Sequence, residues 1–283
     1  MFQRASATLP TGAIRTSTAS PWSQVIERPD PCGHFVQLYQ ADHNALSRNV
    51  GQYIRNGLED GESVLVIAGP EHSIDFRRSV RDLGGDPEKA ISERRLAFFD
   101  ASTTLSKFMV DGQPDWGLFE STIGEAVRHV HPGTEFANLR AYGEMVGILW
   151  KARLYSAAIR LEQFWNKLLS RWSFSLYCSY AIDVFGTEFD PNLLDGLLST
   201  HTHLLPAETE GRLESSINCA MDEILGAKAS LVRTQIKASY RPSWAIMPVG
   251  ETIALWLRQN LPAEAGRILS RARELYVTFP CLQ

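Results

Sequence analysis

The residues best suited to chemistry lie in one block, LRAYGEMVGILW, from Leu139 to Trp150. A strand would carry Arg140 and Tyr142 toward its end, and Gly143 permits a sharp turn. Glu144 then opens a segment containing Met145, Val146, Ile148, Leu149 and Trp150. Charge and aromatic surface therefore meet at a strand tip. Two readings stay open. Arg140 and Glu144 form a buried structural pair, because a buried charge needs a partner to offset its desolvation, or they bind a ligand.

Other reactive residue types are more scattered. Asp100 closes LAFFD, where nucleotide-binding proteins keep a metal-orienting acid; without a phosphate loop it reads better as the cap of a helix begun near Ser102 to Leu105. His129 with His131, and His201 with His203, have His-x-His spacing that could supply metal nitrogens. The neighbouring Pro132 and Pro206 indicate turns, which favours solvent-exposed histidines and no metal. The cysteines Cys32, Cys178, Cys219 and Cys281 never form the close pairs that clamp zinc. Cys178, inside SLYCSYAI, reads as a buried small hydrophobe.

Familiar catalytic signatures are missing. Gly-Lys never occurs, so the usual phosphate loop is absent, and the corresponding turn reads YQADHNALSRNV. The sequence also lacks GxGxxG after a strand, GxSxG, HExxH and a kinase catalytic loop. An enzyme using Asp100, Glu144 or a histidine as acid or base is the least favoured reading. No cofactor is expected.

The elements that must position these residues can be read from periodicity. HFVQLYQ, His34 to Gln40, alternates as a strand. A helix follows from an Asp42 cap through Leu46, Val50, Tyr53, Ile54 and Leu58, ended by Gly57 and Gly61. SVLVIA, Ser63 to Ala68, is apolar throughout, as expected of a strand covered on both faces. Further helices are expected over 73–83, from Asp86 and Pro87 toward Arg95, over 115–129 and over 154–172. Strands are expected at LAFFDA, EFANLRAYG and FSLYCSYAI. Alternation of this kind argues for an open, mostly parallel α/β sheet over about residues 30–190. Ligands in such sheets sit outside the carboxyl ends of the strands, which selects the loops after Gln40, Ala68, Ala101 and Ala141.

Beyond Pro191 no convincing strand is expected. Short amphipathic segments point to a helical module at 191–283, where PAEAGRILSRARELYV buries Ala265, Ile268, Leu269, Ala272 and Leu275 and turns Arg267, Arg271 and Arg273 to solvent. The first 24 residues hold eight Ser or Thr, two Arg and no acid. Residues 1–30 therefore read as a disordered tail and 31–190 as the α/β domain. Twenty-eight Lys and Arg against 32 Asp and Glu give a net charge of −4, which disfavours a broad nucleic-acid surface. No run is long and apolar enough to cross a bilayer, so a cytoplasmic protein is expected.

The blocks HFVQLYQ, GLEDGESVLVIAGPEH, LAFFDASTTLSKFMVDGQPDW, RAYGEMVGILW, LEQFWNKLL and FSLYCSYAIDVF occur in the order seen in the MEDS family, the methanogen/methylotroph DcmR sensory domain, which the chain resembles from His34 to Phe185. The resemblance implies a RecA- or KaiC-like α/β fold with a degenerate phosphate loop. It also implies a small-molecule ligand, with hydrocarbon derivatives the suggested class, and output through a histidine kinase or transcription regulator. The C-terminal module lacks kinase motifs, and Pro10, Pro21 and Pro29 interrupt the N-terminus, so output is expected through a partner in trans. Switch-point logic and the family blocks together nominate Tyr39, His43, His72, Asp100, Arg140, Tyr142 and Glu144 as ligand-binding residues. The competing reading is a DNA-binding regulator that uses the basic helix around Arg267 to Arg273.

Overall fold

The apolar runs of the first two thirds of the chain become a six-stranded sheet in which every adjacent pair is parallel. The computed structural model describes residues 21–40, 44–131, 138–207, 211–238 and 244–278. In chain order the elements are α1 (Pro21–Glu27), β1 (His34–Leu38), α2 (Asn44–Glu59), β2 (Ser63–Ala68), α3 (Pro70–Asp82), α4 (Pro87–Ser92) and β3 (Leu96–Asp100). Next come α5 (Ala101–Ser106), a small antiparallel pair β4 (Met109–Val110) and β5 (Gln113–Pro114), α6 (Trp116–Val130), β6 (Leu139–Gly143), α7 (Met145–Lys151), α8 (Tyr155–Leu169) and β7 (Ser175–Tyr180). The C-terminal part contributes α9 (Pro191–Thr200), β8 (His203–Leu205), α10 (Arg212–Leu225), α11 (Ala229–Ala238), α12 (Val249–Asn260) and α13 (Pro262–Thr278).

The strands lie in the order β3-β2-β6-β7-β1-β8. Residues of β1, β2, β6 and β7 are buried at every position, because helices cover both faces of a parallel sheet. Phe35, Val64, Val66, Tyr142 and Tyr177 point to the face covered by α1 to α4. Val36, Leu65, Ile67, Ala141 and Cys178 point to the other, where one apolar cluster continues through α6 to α9 into the C-terminal helices. The helix starts follow local capping chemistry. Asp86, Asp100, Asp115 and Asp190 each accept a hydrogen bond from a first-turn backbone N–H, and Pro87 and Pro191 occupy the first turn, where no donor is lost.

Three expectations change. The region after Pro191 does contain a strand: β8 pairs in parallel with β1, and Leu204 and Leu205 are buried. Three residues flanked by turns are too short for a periodic signal, yet an open sheet edge supplies the partner. Within the expected tail, residues 21–27 form α1 and bury Ile26, while residues 1–20 lie outside the described residues. Gly57 does not end α2 but sits inside it. A Cβ there would lie 2.7 Å from the Arg140 side chain, so glycine is needed for that close approach. The expected Asp42 cap lies outside the described residues.

Candidate functional site

After β2 the chain moves to the outer strand β3 through α3, on one face of the sheet. After β6 it moves inward to β7 through α7 and α8, on the other face. The carboxyl ends of β2 and β6 are neighbours whose connections diverge, the kind of switch point at which parallel α/β proteins commonly bind ligands. Glu144 bridges the two strand ends. It follows β6 directly, and its Oε1 accepts a hydrogen bond from the backbone N–H of Gly69 at the end of β2. A Cβ on residue 69 would lie 2.9 Å from that oxygen, which explains the glycine.

The other carboxylate oxygen faces His72 of α3. His72 Nδ1 lies 2.5 Å from Glu144 Oε2, and the Tyr142 hydroxyl donates to the same oxygen at 3.3 Å. Burial alone would lower the pKa of His72, but the hydrogen bond and negative charge of Glu144 outweigh it and raise it above its ordinary value. The imidazole stacks on Phe76 with ring centres 5.4 Å apart, and Tyr39 meets it edge-on at 5.5 Å. Phe76 packs in turn against Tyr142. Desolvation and the Glu144 charge push the Tyr39 hydroxyl up to about 12. The result is an acid–imidazole pair in an aromatic collar at the tips of β1, β2 and β6.

Of the seven predicted site residues, Tyr39, His72, Tyr142 and Glu144 come together here. His43 lies outside the described residues. Asp100 ends the edge strand β3, one strand further out, and caps α5 by accepting from Thr103 N–H at 2.7 Å.

Arg140 does not reach the strand tip and does not pair with Glu144. It stands at the opposite, amino end of β6, with its guanidinium between Glu62 and Asp60 and donating to the carbonyls of Ile26, Tyr53 and Glu27. A strand rises about 3.3 Å per residue, so four positions separate the two groups by roughly 13 Å. Alternation shows which face a side chain uses, but only the direction of the chain assigns it to one end.

A second correction concerns His201, expected at the surface. Its side chain is buried, with Nδ1 donating to the Leu197 carbonyl at 2.7 Å and Nε2 facing Glu162 of α8. Glu162 is also fully buried. A glutamate on the apolar face of α8 was the available signal, and it was missed because the surrounding positions fit an ordinary helix stripe.

A cavity of about 160 Å³ lies beyond the carboxyl end of β8, between that strand and the C-terminal helices, with Val184, Pro206, Met247 and Glu251 in its wall. Glu251 is buried there, and desolvation pushes its carboxyl up to about 7. Gln37 of β1 links this wall to the sheet: its amide donates to the carbonyls of Pro206 and Ala207, and its oxygen accepts from Tyr177 and Asn49.

The apolar face of α13 buries Ala265, Ile268, Leu269, Ala272 and Leu275, as expected. Two of its three arginines are engaged by acids of the same chain: Arg271 lies between Glu223 and Glu274, and Arg273 meets Asp183. That arrangement neutralises much of the face on which a DNA-binding reading depends.

The fold is thus a parallel α/β sheet flanked by helices, with an acid–imidazole pair ringed by aromatic side chains at its switch point. The model of the MEDS family, the methanogen/methylotroph DcmR sensory domain, matches residues 33–202, more than half of the chain. The chain belongs to this family, which suggests a sensory or regulatory role. No curated protein matches it. No helix among the described residues is long and apolar enough to cross a membrane.

Proposed function

We propose that the protein senses a small molecule at the crevice between β2 and β6, binding it without turnover through Tyr39, His72, Tyr142 and Glu144. The observation that carries this reading is the His72–Glu144 pair, set at the switch point of a sensory-family sheet. A ligand with hydrogen-bonding groups competes with Glu144 for the Gly69 N–H and the imidazole, while the aromatic collar takes its apolar part. Opening that pair moves the ends of β2 and β6. The Gln37 contacts offer a route from the sheet to the wall of the C-terminal cavity, and from there to a separate histidine kinase or transcription regulator. The protein works in the cytoplasm, where Cys32, Cys178 and Cys219 stay reduced.

A thermal-shift screen of the full chain against nucleotides and small halogenated or aromatic compounds tests this. A ligand at one hundred times its Kd adds about 2.7 kcal/mol of stability. The expected result is a stabilising compound whose effect is lost in Glu144→Gln and His72→Gln and kept in Asp100→Ala. A compound that stabilises both crevice variants as strongly as the wild type would place the ligand elsewhere.

A further inference from the structure

Four chemically potent side chains meet on the α8 side of the sheet, away from the crevice. They are His34 at the start of β1, Cys178 in β7, Glu162 in α8 and His201 just before β8, and all four are buried. His34 Nε2 lies 3.2 Å from Glu162 Oε2 and 3.4 Å from Cys178 Sγ. His201 Nε2 lies 3.3 Å from Glu162 Oε1, and Cys178 Sγ lies 3.6 Å from Glu162 Oε2. All four donor atoms fall within 4.8 Å of one another. A tetrahedral zinc ion with bonds of about 2.0–2.3 Å spaces its ligand atoms roughly 3.3–3.7 Å apart, which these separations approach.

The outer hydrogen bonds set the histidine tautomers. His201 Nδ1 faces the Leu197 carbonyl, a pure acceptor, and must carry a proton. His34 Nδ1 faces Asn166 Oδ1 at 2.8 Å, and the Asn166 amide is oriented by donating to the Thr200 carbonyl. In each neutral ring the Nε2 lone pair is then directed toward the carboxylate and the thiol. His201 Nε2 has no hydrogen-bond partner despite complete burial, because its 3.3 Å approach to Glu162 lacks hydrogen-bond geometry. Two lone pairs aimed at a carboxylate repel it unless a cation lies between them.

We propose that His34, Glu162, Cys178 and His201 form a tetrahedral site for a zinc-class divalent transition metal. Histidine nitrogen, carboxylate oxygen and thiolate sulfur are the donors such ions select. A divalent cation with one thiolate, one carboxylate and two neutral imidazoles sums to zero charge, the one net charge that deep burial tolerates without penalty. The ion displaces the Cys178 thiol proton, which leaves to solvent as metal enters during folding. Asn166, the Leu197 carbonyl and the Tyr180 hydroxyl, which donates to Glu162 Oε1 at 2.5 Å, orient the ligands from outside. The site would fasten β1, β7 and α8 to the segment that leads into β8 and the C-terminal helices.

Full-length protein purified from zinc-supplemented culture is analysed for metal and refolded with Co²⁺. The expected results are about one zinc per chain and a thiolate-to-cobalt charge-transfer band that Cys178→Ser abolishes. His201→Gln should lose the metal, with circular dichroism reporting whether the fold is kept. Asn166→Ala leaves the four ligands in place and should retain zinc about 10- to 100-fold less tightly against a chelator. Folded wild-type protein that holds no stoichiometric metal and shows no band with Co²⁺ would overturn the proposal. So would a zinc content or cobalt spectrum unchanged in both Cys178→Ser and His201→Gln.

Discussion

The two ends of β6 carry charges of opposite sign in opposite circumstances. At the amino end Arg140 is enclosed by its own chain, with two acids and three carbonyls taking its donors and Gly57 making room for its stem. At the carboxyl end Glu144 is held by one backbone N–H, one imidazole and one hydroxyl, at the switch point of the sheet. The first arrangement is consumed by the fold. The second can be exchanged for a ligand, because each of its partners is a donor that another acceptor could engage. Electrostatic pairing alone does not mark a functional site; position on the sheet does.

Breaking the enclosed end should have the largest effect. Arg140→Ala strands Glu62 and three carbonyls, and loss of one partner from a buried pair costs about 3–5 kcal/mol. Urea unfolding should show that loss, with the crevice ligand still binding to the folded fraction. A loss below about 1 kcal/mol, the scale of an exposed surface pair, would mean that Arg140 is not enclosed.

Asp100 offers an intermediate case, a predicted site residue whose visible work is capping. Asp100→Ala should cost about 1 kcal/mol through the α5 cap and leave ligand response unchanged. Loss of the response in a folded variant would return Asp100 to the site.

The smallest effect is the pH dependence of the open end. His72 has a raised pKa in the folded state, so its pairing with Glu144 stabilises fully below its unfolded value of about 6.5. That contribution is lost as pH rises through the higher folded value. The stability difference between wild type and His72→Gln, followed over about pH 5–9, should shrink as pH rises, by up to about 1 kcal/mol for a partly exposed pair. A difference that grows with pH contradicts the assignment.

The α/β class, most element positions and the Asp86 and Asp100 caps were legible from local pattern. So was the crevice group Tyr39, His72, Tyr142 and Glu144, because the carboxyl-end rule and the family blocks converge on those loops. Arg140 was misplaced because alternating faces look alike from either end of a strand. His201 and Glu162 were missed because they stand 39 positions apart in sequence and meet only when α8 lies across β1 and β7. β8 was missed because its three residues owe their strand conformation to the open edge of β1.

The sequence by itself determined the alternation of strands and helices, the buried runs of a parallel sheet, the absence of a phosphate loop and the family of residues 33–202. These are properties of neighbouring residues, carried by side-chain period and turn chemistry. Only the tertiary structure decided which charges pair. It separated Arg140 from Glu144, joined Glu144 to His72 across two strands, and collected His34, Glu162, Cys178 and His201 into one buried cluster. The reason is physical. A buried polar group takes whichever partner the packing brings within hydrogen-bond reach, and sequence distance does not enter that choice.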